Sequence, residues 1–331
     1  MALIGDPAGR PRILVLRALG LGDFLTGVPA LRALRREFPD HELVLAAPRA
    51  LEPLADLAQV ADRLLDTPGL EPLEWRGASP ELAVNLHGMG PQSHAVLAGV
   101  GYARLAAFGC EQAGHSGPRW RKDEHEVRRW CRLLEESLGI PTDPRDLGLS
   151  VPHTAAAAPG AVVVHPGAAY PSRRWPPERF AAVARWAVGA GHRVVVTGGR
   201  DEVDLTEQVR RAAGLSEQAV LSGRTDLRAL AAQVAAARLV VCGDTGVAHL
   251  ATAFATPSVV LFGPVPPSQW GPPDHPHHVA LWHGDGTGDP WGRQVDPALR
   301  TITVEEVVGA AAKLLAEPVS RPVRRTTPAS A

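Results

Sequence analysis

The chain has 331 residues, enough for about two domains, and its 45 % hydrophobic and 21 % charged residues exclude a largely disordered chain. Its 34 Lys and Arg balance 35 Asp and Glu for a net charge of −1, so composition offers no basic footprint for nucleic acid. Three widely spaced cysteines (Cys110, Cys131, Cys242) exclude a disulfide framework or a Cys-x-x-Cys zinc site as the main theme, and no apolar run reaches the roughly 18 residues of a membrane span.

Met1 to Arg12 is polar with no apolar core, so no secretory signal is expected there. Arg12–Arg17 is a short apolar run of strand type. Phe24–Phe38 then carries Leu25, Val28, Leu31, Leu34 and Phe38 near one face of a helix. His41–Ala47 returns to a strand, and Arg49 to Gln59 is an Ala/Leu-rich helix. Leu64–Leu65 and Leu82–Leu86 are further strands. The most apolar stretch, Ala95 to Phe108, is interrupted by Arg104. Glu124–Leu138 is an amphipathic helix stopped by Gly139 and Pro141. Ala- and Pro-rich residues 151–160 lack periodicity and predict an interdomain linker.

Beyond them the alternation restarts. Strands are predicted at Ala161–His165, Arg193–Thr197, Ala219–Leu221, Leu239–Cys242 and Ser258–Phe262. Helices are predicted at Pro177–Val188, Glu202–Ala213, Asp226–Ala237, Gly246–Ala255 and Val304–Ala316. Continuous Val/Leu strands are those of parallel sheets covered on both faces. The chain therefore predicts an α/β protein of two doubly wound, Rossmann-like domains, 1–150 and 151–316, with a basic, Pro-rich disordered tail over 317–331 that holds Arg321, Arg324 and Arg325. Such sheets bind ligands outside the carboxyl ends of their strands, so a site is expected in the cleft between the two domains.

The loops after the strands hold the candidate chemistry. Gly20 and Gly22 begin a dinucleotide fingerprint whose third glycine is missing, since Leu25 stands there. Asp23 is either a helix N-cap or a catalytic carboxylate. Arg173 and Arg174, just before a Pro-initiated helix, suit a diphosphate or a solvated loop. Gly198 and Gly199 are a phosphate cradle or a close-packing device. Asp244, Thr245 and Gly246 lie between a buried strand and a helix whose N-terminus favours anions. His249, one turn on, points the same way. Asp-Thr-Gly also occurs in aspartic proteases, but on all-β loops, which this context argues against. The rigid turn from Phe262 to Pro267 forms a cleft wall, and Asp274–His278 (DHPHH) invites a metal that its proline and missing carboxylate partner disfavour.

Four blocks in order carry a family resemblance: Gly22-Asp23 with Thr26 and Pro29, His165-Pro166-Gly167 followed by Arg173-Arg174-Trp175-Pro176, Thr197-Gly198-Gly199, and Asp244-Thr245-Gly246 with His249. Together they resemble glycosyltransferase family 9, the heptosyltransferase-like family, from about Ile13 to Val308. The resemblance implies a GT-B fold, with an acceptor-binding N-terminal domain and a nucleotide-sugar-binding C-terminal one. It implies an inverting, metal-independent transfer from a nucleotide-diphosphate sugar, ADP-heptose, with no cofactor. Asp23 matches the family's base. Arg173 and Arg174 match basic residues near the donor phosphates, and Asp244, Thr245, Gly246 and His249 match the donor loop. Gly22, Thr26, Asn85 and His87 are acceptor-side candidates. Asn85 stands where relatives often carry Asp, and arginine stands where they often carry Lys. The expected partners are the donor and a glycan or glycolipid acceptor of lipopolysaccharide type. The expected state is a cytoplasmic monomer with at most peripheral contact at the inner membrane face. A GT-B-fold nucleotide-sugar epimerase, a non-catalytic nucleotide-sugar-binding relative and a nicotinamide dehydrogenase are the alternatives.

Overall fold

The computed structural model describes residues 10–317, so most of the basic tail, with Arg321, Arg324 and Arg325, lies outside the described residues. The chain divides into two compact units between Asp146 and Leu147.

The first unit holds a five-stranded parallel sheet. Its strands are β1 (Arg12–Leu16), β2 (Glu42–Ala47), β3 (Arg63–Asp66), β4 (Leu82–Asn85) and β5 (Arg104–Ala106), in the order β3-β2-β1-β4-β5. β1 is central, with Val15 opposite Leu45 on one side and Val84 on the other. Its residues Ile13 to Leu16 are fully buried, each such side chain contributing about 1.5–3 kcal/mol of burial. The helices are α1 (Leu21–Glu37), α2 (Glu52–Ala58), α3 (Gln92–Val100) and α4 (Glu126–Leu138). α4 ends as its sequence predicts, with Gly139 in the left-handed region. The sequence pattern missed α3 and β5: both lie in the apolar stretch around Ala95–Phe108, where neither period is resolved.

The second unit repeats the plan. Strands β6 (Val162–His165), β7 (Val194–Val196), β8 (Leu239–Gly243), β9 (Ser258–Leu261) and β10 (His278–Leu281) form a parallel sheet in the order β10-β9-β8-β6-β7. Its helices are α5 (Pro177–Gly189), α6 (Val203–Ala213), α7 (Leu227–Ala236), α8 (Gly246–Ala253), α9 (Pro267–Trp270), α10 (Pro297–Thr301) and α11 (Val304–Ala316). Two expectations need correction. The strand predicted at Ala219–Leu221 is a 3-10 turn (Glu217–Ala219) followed by a single bridge between Val196 and Val220, so it adds no ladder to the sheet. The segment predicted as a linker packs within the second unit: Ala158 is buried, and its N–H and carbonyl both bond the amide of buried Gln233.

In each sheet the chain reverses its direction of growth once, between β1 and β4 and between β6 and β8. These switch points open crevices at the carboxyl ends of the strands, where ligands of doubly wound folds bind. Trp175 secures one wall of the second crevice. It is fully buried, meets Phe180 edge-on at 5.1 Å and donates its Nε1–H to the Ile302 carbonyl. The loop carrying Arg173 and Arg174 is thereby pinned to α5 and to the approach to α11.

Candidate functional site

At the first switch point, α1 starts earlier than the hydrophobic pattern suggests. Gly20 is the N-cap and Asp23 is the third residue of the helix. Asp23 is therefore not the N-cap. Its position in the first turn still suits a negative charge. Among the described residues no hydrogen bond or ion pair engages its carboxylate, and it is half-buried. His87, on the loop after β4, feels it electrostatically: burial and the positive charge of Arg17 hold the imidazole below its ordinary pKa, and Asp23 opposes them. The buried Nδ1 of His87 has no hydrogen-bond partner among the described residues.

The other acceptor-side candidates are differently placed. Gly22 lies in the first turn of α1. Asn85 is fully buried: its amide donates to Ser93 Oγ and faces His94 Nδ1, and its Oδ1 accepts the His87 N–H. It shapes the His87 loop and has no free edge for a ligand. Thr26 is also buried, its hydroxyl donating to the Asp23 carbonyl and accepting from Arg17. Sequence reasoning missed Arg17, fully buried beneath these residues. The available signal was a charged residue closing the otherwise apolar run Arg12–Arg17.

At the second switch point, Arg173 and Asp244 face each other from the loops after β6 and β8, with Nη1 and Oδ2 3.5 Å apart. The Nε of Arg173 is buried and finds no acceptor among the described residues. Arg174 serves its own loop, donating Nε–H to the Ala168 carbonyl. Thr245 is the N-cap of α8, Gly246 its first residue, and half-buried His249 stands edge-on to Trp270 at 5.9 Å. A guanidinium with an unused N–H beside a helix N-terminus fits a bound oxyanion.

The Thr-Gly-Gly loop after β7 is not an open phosphate cradle. The Gly199 N–H already donates to Glu202 Oε2 at 2.8 Å. A Cβ at Gly167 would overlap the Glu202 carboxylate, so a larger residue there would have to displace it. His165 lies 4.0 Å from the same carboxylate and bonds Thr197 Oγ1; burial holds its pKa down against the pull of Glu202. Sequence reasoning also missed a cavity of about 740 Å³ in this unit, lined by Ser172, Gly263, His283, Thr287, Asp289 and Asp296. It follows β10, a strand hidden in sequence by the histidines around it. Among the described residues no group of three or more His, Cys, Asp or Glu could hold a metal ion. His278, from the DHPHH run, instead shares a 2.8 Å hydrogen bond with Ser258.

Comparison with known proteins bears on the fold and the family. The chain is 31 % identical over 118 residues to lipopolysaccharide heptosyltransferase 2 of Salmonella typhimurium, covering 34 % of each protein. It is 34 % identical over 153 residues to lipopolysaccharide heptosyltransferase 1 of Pseudomonas aeruginosa, covering 45 % of this chain and 42 % of that one. By sequence the chain thus spans well under two thirds of these relatives. By fold, it matches the structure of the E. coli ADP-heptose lipopolysaccharide heptosyltransferase II with a TM-score of 0.75 and 20 % identity, over 92 % of this chain and 98 % of that one. The fold is therefore that of the GT-B heptosyltransferases, as the tandem doubly wound sheets imply. Residues 115–285, just over half of the chain and including the Arg173, Gly198–Gly199 and Asp244–His249 blocks, match the model of glycosyltransferase family 9 (heptosyltransferase), and the chain belongs to that family.

Proposed function

We propose that the protein transfers a sugar, heptose from ADP-heptose, to a hydroxyl of a glycan acceptor of the lipopolysaccharide-core type, with inversion and without a metal ion or other cofactor. The observation that carries this reading is the Arg173–Asp244 pair beside the N-terminus of α8, with the Arg173 Nε–H still unused. In the proposed reaction the acceptor oxygen attacks the anomeric carbon opposite the diphosphate. The bond from that carbon to the diphosphate breaks, and the hydroxyl proton passes to the Asp23 carboxylate. Arg173 and the backbone N–H groups at the start of α8 take up the charge developing on the departing nucleoside diphosphate, the task a divalent cation performs elsewhere. Asp23, in the first unit, is not consumed by capping or pairing, which is what a base requires. The protein acts as a cytoplasmic monomer, and a lipid-linked acceptor brings it to the inner membrane face. No helix among the described residues is long and apolar enough to cross a membrane.

The test pairs ligand binding with turnover. Melting in the presence of ADP, UDP, GDP or dTDP with a chelator present should single out ADP, a ligand at about 100 times its Kd adding about 2.7 kcal/mol. Asp23→Ala should lower kcat by about two or more powers of ten with ADP affinity unchanged. Selective stabilisation by UDP would overturn the donor assignment, and turnover by Asp23→Ala near wild type would overturn the base.

A further inference from the structure

The buried guanidinium of Arg17 reaches both walls of the first switch point. Nε donates to the Asp23 carbonyl at 2.6 Å, Nη2 donates to Thr26 Oγ1 at 2.9 Å, and Nη1 donates to the Leu86 carbonyl, one residue before His87. Thr26 returns a hydrogen bond to the same Asp23 carbonyl at 2.9 Å. Behind the fork, Trp130 of α4 lies 4.6 Å from the guanidinium carbon and Glu126 is 3.6 Å from Nη2. Gly27 clears the space, since a Cβ there would come within 2.9 Å of Nε. Asp23 and Glu126 face the guanidinium with opposite charge and Arg129 with like charge, while burial itself opposes the cation.

A buried ion pair is weak evidence for stability, since an apolar side chain packed in its place is often neutral or stabilising. What a planar fork supplies, and neither an apolar group nor a lysine can, is several donors in one fixed geometry. Here those donors bind backbone and side-chain acceptors of two separate elements, the first turn of α1 and the loop after β4. We propose that Arg17 is a positioning residue that ties the Asp23 turn to the His87 loop and so fixes the distance between these two side chains. The assignment rests on the reading of Asp23 as the base, because it is that carboxylate whose placement is being held.

The experiment reads the spacing without substrate. The full-length protein is labelled with 13C-histidine, the His87 ring signal is assigned by its loss in His87→Gln, and its titration midpoint is followed by NMR. Asp23→Asn removes a charge that raises the midpoint, so in the otherwise native protein the midpoint falls. In the Arg17→Lys background, where charge is kept but the fork is lost, the same Asp23→Asn change shifts it by less than half as much. An undiminished shift in that background overturns the proposal. Should Arg17→Lys fail to melt cooperatively, Thr26→Val decides: it removes one acceptor of the fork and leaves every charge in place. A reduced shift there supports the assignment and a full one overturns it. Absence of sugar transfer by the native enzyme would sink the base assignment but leave the measured coupling intact, so the two failures are told apart.

Discussion

Arg173→Ala tests both the pairing of this side chain with Asp244 and its proposed contact with a diphosphate. In the unliganded protein Arg173 faces an Asp244 side chain that is only 5 % exposed. Removing one partner of a fully buried pair costs about 3–5 kcal/mol, because the other charge is left without compensation. Arg173 is itself 23 % exposed, so water screens part of that loss and the expected destabilisation is about 1–3 kcal/mol. Toward a nucleoside diphosphate the same change deletes a charge-assisted hydrogen bond worth about 1.5–3 kcal/mol, or about ten- to 150-fold in Kd. Urea unfolding of the free protein reads the first quantity, and calorimetric titration with ADP reads the second. The double variant Arg173→Ala/Asp244→Asn also removes the charge that faced Arg173, so it should recover part of the stability while ADP binding stays weak. ADP affinity within about twofold of wild type in Arg173→Ala would refute the placement of the diphosphate at this switch point.

Three further outcomes follow from the surroundings of the site. Burial, with the charges of His275 and His277, lowers the His278 pKa to about 4 from 6.5. The folded protein thus binds fewer protons than the unfolded chain in that window, so stability is complete above the ordinary histidine range and falls as pH drops toward 4, by at most about 3 kcal/mol from this residue. Urea melts near neutral pH and in that window should show His278→Gln losing less than wild type, and equal losses would refute the assignment. Gly167→Ala forces a Cβ into the Glu202 carboxylate and should cost about 1–3 kcal/mol in the same assay, whereas an unchanged midpoint would show that the loop yields freely. Cys242 and Cys131 are buried, with Cys242 pushed far above the ordinary thiol range and Cys131 to about 11, so a thiol reagent should find one fast site, Cys110, in the native protein and three in denaturant. Fast reaction at Cys131 or Cys242 would contradict that burial.

The doubly wound plan was legible because strand and helix periods alternate over most of the chain, and α11 (Val304–Ala316) starts and stops where its pattern does. What escaped were elements whose signal is not periodic. β5 has three residues, and β10 begins with a histidine that local composition assigns to a loop. The candidate loops after β6 and β8 were legible because charged and small residues stand out at the ends of apolar strands. Arg17 and Glu202 were not, for the opposite reason. Besides near partners, each also meets a residue far along the chain, Leu86 for Arg17 and Gly167 for Glu202, and no local pattern announces a contact of that range. Asn85 is an acceptor-side candidate because the family resemblance implies it, but the fold turns its amide inward onto Ser93 and His94.

The two glycine-bearing loops of the second unit show why position after a strand is insufficient to identify a phosphate site. After β7, the Gly199 N–H is satisfied by Glu202, and a carboxylate already seated there repels a second anion at close range. After β8, Asp244 lies against Arg173, and the Nε–H of that guanidinium has no acceptor among the described residues. An incoming phosphate would displace a fixed internal ligand in the first loop, whereas in the second it gains a donor that folding has left buried and unused. A buried donor without a partner costs about 1–3 kcal/mol. Binding an oxyanion there would relieve that cost as well as form a bond, which is why the proposed diphosphate site is the loop after β8 rather than the Gly198–Gly199 loop.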